Sequence, residues 1–377
     1  MRGVVRLTGA SYEWLLSGDD TGDDPAELLR VARELEDSGE LQLAAAAYDR
    51  AYRAAAGDGE VASARAALLD RLAVTEHGMT FRYVPAGTFL MGSDHGDPDE
   101  RPVHSVRLDG YWIGATAVSW ESFCKLTGWL PPPEGRPAET EDAEGLDIFL
   151  TNRIRLQYCE DLTTGALDWH AHYPSKWTRG GEEVDSRDIF GEPPRSDPSA
   201  PWRYETKPMV SVSWADADAF GQRLSTPDVQ YCLPTEAEWE RAARGGLAGR
   251  RYPWSDDAPT AQVCDFSRFD EFSIKPMRTF PPNGYGLYGM AGSVWEWTAD
   301  RYDAQYYRNS PAHNPAGPDT GMHRVLRGGS WADCAEAVTV SFRMSRAVID
   351  ERRGGPAWCV TPNVGFRLCR KPRTITP

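Results

Sequence analysis

Apolar residues recur at helical spacing three times in the first eighty positions. Asp24-Pro25-Ala26-Glu27 opens the first helix. Asp24 can cap it, Pro25 suits its first turn, and Glu27 can close a capping box. Leu28, Ala32 and Leu35 then repeat on one face until Gly39 stops the helix. A second helix is predicted from Leu41 to Ala56, with Ala44, Ala47, Tyr48 and Ala51 on one side and Gly57 at its end. A third runs from Val61 to about Val74 and carries Ala64, Leu68 and Leu72. From Phe81 the period shortens to two. Phe81 to Gly92, around Pro85-Ala86-Gly87, reads as a β-hairpin, and Val103 to Leu108 as a further strand. The pattern lapses between Leu130 and Lys207, where Pro131-Pro132-Pro133, Gly180-Gly181, Pro193-Pro194 and many acids mark a long insertion. Order returns with two helix starts. Ser213, with Asp216 at the third position, caps a stripe of Trp214, Ala217, Phe220 and Leu224, and Thr235-x-x-Glu238 is a capping box before Trp239, Ala242 and Ala243.

The change of period divides the chain into a helical segment, 24–76, and a mixed domain, 81–370, interrupted by the insertion at 130–207. Fourteen tryptophans with 41% hydrophobic residues suit an irregular α+β core, because each indole has a large apolar body and one donor to satisfy. The formal charge of −15 disfavours nucleic acid and anionic membrane as partners. No apolar run approaches the roughly 20 residues that span a bilayer. Met1 to Gly18 lacks the charged-then-apolar pattern of a secretory signal. The seven cysteines are odd in number and include no Cys-x-x-Cys pair, which points to a reducing, cytoplasmic setting.

Two resemblances sharpen this picture. In the first two helices, Gly39-Glu40, Ala44, Ala47-Tyr48 and Ala51 fall where a tetratricopeptide repeat has its small and aromatic residues. A single repeat cannot bury its own face. The pair therefore packs on the neighbouring domain or on another chain, or is a plain helical extension. The second resemblance is carried by Gly286-Leu287-Tyr288-Gly289-Met290-Ala291-Gly292-Ser293-Val294-Trp295-Glu296-Trp297, then Arg327-Gly328-Gly329-Ser330-Trp331, then Val364-Gly365-Phe366-Arg367. In this order the motifs resemble the family of the formylglycine-generating enzyme, or sulfatase-modifying factor, which has the ergothioneine-type sulfoxide synthases among its relatives. The resemblance implies a C-type-lectin-related α+β domain of low regular secondary structure.

The family's chemistry rests on a Cys-x4-Cys pair that holds copper as thiolates and activates oxygen. Soft thiolates suit a cuprous ion. Here Cys334 aligns with the first cysteine, with one residue inserted, and Thr339 takes the place of the second. Cys334 is thus either a catalytic or ligand residue or a small buried hydrophobe. Cys359 or Cys369 is a candidate second sulfur. Trp331, Arg343 and Arg346 are candidate substrate contacts, the arginines alternatively pairing with acids. Ser293 and Glu296 occupy the place of the family's calcium loop, where Asn usually stands at position 293, and otherwise anchor the core. The sulfoxide synthases' three histidines have no counterpart, since only His77 lies in the helical segment. In the insertion, Asp168, His170 and His172 would alternate along one face if the segment is a strand and could grip one ion; the other reading is a solvated loop. Two functions are therefore expected: an oxidoreductase using copper or iron, with calcium as a further metal and a small-molecule substrate, or a non-catalytic module that recognises a peptide or protein.

Overall fold

The computed structural model describes residues 12–17, 23–55, 57–127, 177–179, 182–184, 206–210, 212–267, 275–347 and 363–373. The helical segment begins with α1 (Glu13–Ser17), a short turn that the periodicity does not predict. Then follow α2 (Pro25–Asp37), α3 (Leu41–Ala54) and α4 (Gly59–Arg71). Asp24 caps α2 by accepting the Ala26 N–H at 3.0 Å. Glu27 pairs with Arg30 one turn on rather than closing a box. The alanine face of α3 is buried, and the Tyr48 hydroxyl donates to Glu36 of α2 at 2.9 Å.

Five strands form one antiparallel sheet in the order β1-β2-β5-β13-β8: β1 (Val74–Glu76), β2 (Met79–Val84), β5 (Tyr111–Gly114), β8 (Val229–Cys232) and β13 (Cys369–Pro372). The hairpin expected between Phe81 and Gly92 does not form. Strand β3 (Gly87–Met91) instead pairs with β4 (His104–Leu108) in a separate ribbon. The turn between β2 and β3 is diverted at Gly87, whose carbonyl accepts the buried Arg241 guanidinium and whose φ of 147° leaves a side chain no easy place. A four-stranded sheet, β11-β10-β9-β12, comprises β9 (Trp295–Arg301), β10 (His323–Arg327), β11 (Met344–Ala347) and β12 (Val364–Phe366). Only β9 and β12 run parallel within it.

Helix α5 (Trp120–Thr127) precedes the insertion. The chain leaves and re-enters at one place, since Met209 N–H bonds Val118 O at 2.8 Å and Trp120 N–H bonds Lys207 O at 3.0 Å. Within the insertion, β6 (Trp177–Arg179) and β7 (Glu182–Val184) form a hairpin. Two helices carry the rest of the core, α6 (Trp214–Leu224) and α7 (Glu236–Arg244). Both begin with the expected reciprocal capping boxes, Ser213 with Asp216 and Thr235 with Glu238. Three indole donors meet backbone carbonyls: Trp297 bonds Val212 O, Trp214 bonds Thr298 O and Trp112 bonds Leu72 O, all at 2.8 Å.

The helical segment is built into the domain. Arg65 of α4 donates to Gly284 O at 2.9 Å and Gly245 O at 3.2 Å, and the Tyr285 hydroxyl bonds Asp49 of α3 at 3.0 Å. No helix among the described residues is long and apolar enough to cross a membrane.

Candidate functional site

The site is made from three loops laced together by backbone. Gly292 N–H bonds Gly328 O, Ser293 N–H bonds Asp265 O and Ser267 N–H bonds Asp333 O, each at 2.8 Å. Trp331 N–H bonds Ser293 O at 2.9 Å. The turn at Gly329 needs glycine. Its φ is 69°, and a Cβ there would lie 2.6 Å from Val338 and 2.7 Å from Ala337 O. Beneath it, the buried Arg327 guanidinium donates to Val340 O at 2.7 Å and Ser341 O at 2.8 Å. Arg327 also pairs with Glu240 of α7 at 2.5 Å. One cation thus fastens Val340 and Ser341, which directly follow the Cys334 to Thr339 loop, onto α7.

Cys334 is exposed at the rim of this loop. Thr339 is largely buried, and its hydroxyl donates to Glu336 O at 3.2 Å. The thiolate partner of the family's pair is therefore replaced by a hydroxyl already bonded within the loop. Cys264 and Cys369 are buried, and burial pushes the Cys264 thiol up to about 12 and the Cys369 thiol well above its ordinary value. Such thiols are poor sources of thiolate. The donor set does not fit a bis-thiolate copper centre at these positions.

Other expected roles also change. Glu296 does not wait for calcium. Arg367 donates to its two oxygens at 2.6 and 2.7 Å, and the Trp239 indole donates at 2.7 Å. A guanidinium already neutralises that buried carboxylate, so a divalent cation there would face a positive charge. Ser293 carries φ 66° and serves through its carbonyl. Arg343 forks onto Glu236 at 2.7 and 2.9 Å, donates to Asp99 O at 2.8 Å and lies over Tyr307 and Tyr302. Its donors are spent inside the fold, so it holds α7 rather than a substrate. Trp331 has no exposed surface and is a core residue. Arg346 is half-buried on β11; burial raises the nearby Asp333 carboxyl, and the Ser330 hydrogen bonds and, least, the Arg346 charge act against it. Asp168, His170, His172 and Cys359 lie outside the described residues. Among the described residues no three His, Cys, Asp or Glu side chains are grouped to hold a metal.

Beside the Cys334 loop is a small aromatic shelf. Tyr252 stacks on Trp254 with ring centres 5.3 Å apart, and its hydroxyl donates to Ala335 O at 3.2 Å. Tyr252, Cys264, Ala291 and Val338 bury one another there. An open cavity of about 220 Å³ adjoins the shelf, sharing Trp254, Val263 and Ala291 with it. Met277, Phe280 and Leu287 line its apolar wall, and Tyr52 of α3 closes one side. The helical segment thus contributes to the cavity, which periodicity alone does not indicate. The sequence reading also missed Glu236 and Glu240, the acids that pair with Arg343 and Arg327. Their signal was present in the i,i+4 spacing of Glu236, Glu240 and Arg244 on α7.

A family model described as sulfatase-modifying factor enzyme 1-like domain matches residues 67–372. A Streptomyces coelicolor protein named formylglycine-generating enzyme is 34% identical over 307 residues, which is 75% of this chain and 87% of that protein. A mouse protein named inactive C-alpha-formylglycine-generating enzyme 2 is 32% identical over 306 residues, 76% of this chain and 83% of that one. Of solved structures, PvdO from Pseudomonas aeruginosa aligns over 79% of this chain and 96% of its own at a TM-score of 0.52 and 23% identity, a likeness of fold.

Proposed function

This chain belongs to the sulfatase-modifying factor enzyme 1-like family, and from that premise we propose that it is a non-catalytic member that recognises a peptide or protein segment. The observation that carries the reading is Thr339. A hydroxyl bonded to Glu336 O stands where copper chemistry needs a second thiolate. The scaffold around it is kept intact by Arg327, Arg367 and the glycine turns, so the fold still presents a shaped surface. The cavity between Trp254, Phe280 and Tyr52 offers an apolar seat for one side chain of a bound segment. That a relative carries the name of an inactive enzyme is consistent with loss of chemistry on a retained scaffold.

Anaerobic titration of the fully reduced protein with cuprous ion tests the reading, followed by oxygen uptake in the presence of a cysteine-containing peptide. No stoichiometric thiolate complex and no oxygen uptake are expected. Stoichiometric binding that vanishes in Cys334→Ala, together with oxygen uptake, would restore the oxidoreductase reading. A random heptapeptide display library supplies the positive arm. Selected peptides should lose binding to Trp254→Ala while binding Cys334→Ala unchanged.

A further inference from the structure

Two cysteines outside the site face one another across a sheet. Cys369 of β13 and Cys232 of β8 are direct antiparallel partners, in an unbroken register that continues to Pro372 and Val229. Facing residues point to the same side of a sheet. Lys371, two positions from Cys369, shares that side, and its ammonium bonds Glu238 of α7 at 2.6 Å. The Cys369 sulfur lies 4.0 Å from the other oxygen of Glu238. The ladder also gives the type of pairing. Arg373 N–H bonds Asp228 O at 2.9 Å, so alternation makes Cys369 and Cys232 a hydrogen-bonded pair. The Cα atoms of such a pair stand about 5.5 Å apart, inside the disulfide range of about 4.4–6.8 Å. Facing Cβ atoms are about 4.5–5.5 Å apart, however, and a disulfide prefers about 3.5–4.5 Å. A bond here would form only by drawing the two strands together, and it would be easily reduced.

We propose that Cys232 and Cys369 are a reversible oxidation site that closes into a cross-strand disulfide with a low-molecular-weight disulfide as oxidant. Cys232, the less buried of the two, attacks the small disulfide as its thiolate. The oxidant's S–S bond breaks, a mixed disulfide forms on Cys232, and one small thiol leaves. The Cys369 sulfur then attacks the Cys232 sulfur and releases the second small thiol. The two cysteine protons end on the two released thiols, so two protein sulfurs are oxidised as one small disulfide is reduced. Burial keeps both thiols protonated, that of Cys232 to about 11, so closure is slow, and Lys371 works against this by favouring the thiolate. Closure pulls on Glu238, which caps α7 through the Thr235 N–H at 2.9 Å. Oxidation thereby reaches the helix that holds Arg327 and Arg343.

The test equilibrates the full-length protein in glutathione buffers from fully reduced to fully oxidised, then quenches with acid and an alkylating agent. Unreduced peptide mapping follows. The expected product is a peptide containing Cys232 joined to one containing Cys369, lighter by two hydrogen atoms than the free pair, absent in reduced buffer and erased by dithiothreitol. Cys334→Ser should leave it unchanged, and Cys232→Ser should abolish it while Cys369 stays alkylated. The proposal fails if both cysteines remain alkylated or separately glutathionylated in fully oxidised buffer. It fails equally if either joins a different cysteine, or if the bridge persists in fully reduced buffer.

Discussion

Asp49 shows how one buried charge ties two parts of the chain. Burial opposes its ionisation, but the guanidiniums of Arg65, Arg53 and Arg241 outweigh it and hold the carboxyl below its ordinary value. Removing one member of such a buried set strands the rest, at about 3–5 kcal/mol. Asp49→Ala is expected to lose stability of that order in urea unfolding at pH 7. Because the folded value is lowered, the contribution is present above the unfolded value of about 3.9 and fades as pH falls through the folded value. The penalty should therefore shrink in acid, and a penalty independent of pH would show that the charge is not what matters. Asp300 is the opposite case. Burial and then the neighbouring Glu236 push its carboxyl well above the ordinary range, so stability is lost as pH rises from the unfolded towards the folded value. Asp300→Asn can still accept the Glu236 N–H that Asp300 holds at 2.7 Å. Its urea midpoint, compared with wild type, should be level or lower at pH 4 and relatively higher at pH 7.

At the scale of elements, α7 organises the site. Its N-terminus is closed by Thr235 and Glu238, and its buried face presents Glu236 to Arg343 and Glu240 to Arg327. Thr235→Ala removes one cap acceptor and should cost about 1 kcal/mol. Thr235→Ser, which keeps the oxygen, should recover most of it. Thermal melts of the two variants decide this, and equal losses would assign the effect to packing of the methyl group. The β2–β3 segment carries a related lesson. Alternation there correctly marks two strands, but their partners are β5 and β4, chosen by where Arg241 holds the Gly87 carbonyl.

For the whole molecule, the helical segment is a wall of the domain. Leu28, Leu35, Tyr48 and Leu68 are all buried, and Arg65 reaches two carbonyls beyond its own segment. A chain starting at Val74 should melt at lower temperature and bind more hydrophobic dye, because it exposes the face that receives α3 and α4 and opens the cavity at Tyr52. An unchanged melt and dye signal would make the helices a separate appendage. The insertion is long enough to pack over the mouth of the site near Trp331 and Arg343, an expectation that concerns residues outside the described ones. Hydrogen exchange around Tyr158 to Tyr173 reads it directly, with protection expected if that stretch docks and exchange within seconds if it does not.

Local features are legible in the chain alone. Helix stripes, both reciprocal capping boxes, the order of the glycine turns and the family motifs are set within a few residues of each other, so their spacing carries their geometry. The loss of the second thiolate is also plain in the letters, as Thr339. Which charges are spent depends on how the fold brings distant segments together. Arg343 meets Glu236 from 107 positions away, and Glu296 meets Arg367 from 71. A buried charge must find a partner or pay heavily in desolvation, yet the chain alone does not say which partner the fold will bring. For that reason Arg343 and Glu296 each carry two readings in sequence, ligand group or structural pair, and the fold supplies a pairing partner for both. The Cys232–Cys369 pairing and the cavity at Tyr52 became visible only when distant strands and helices were set side by side.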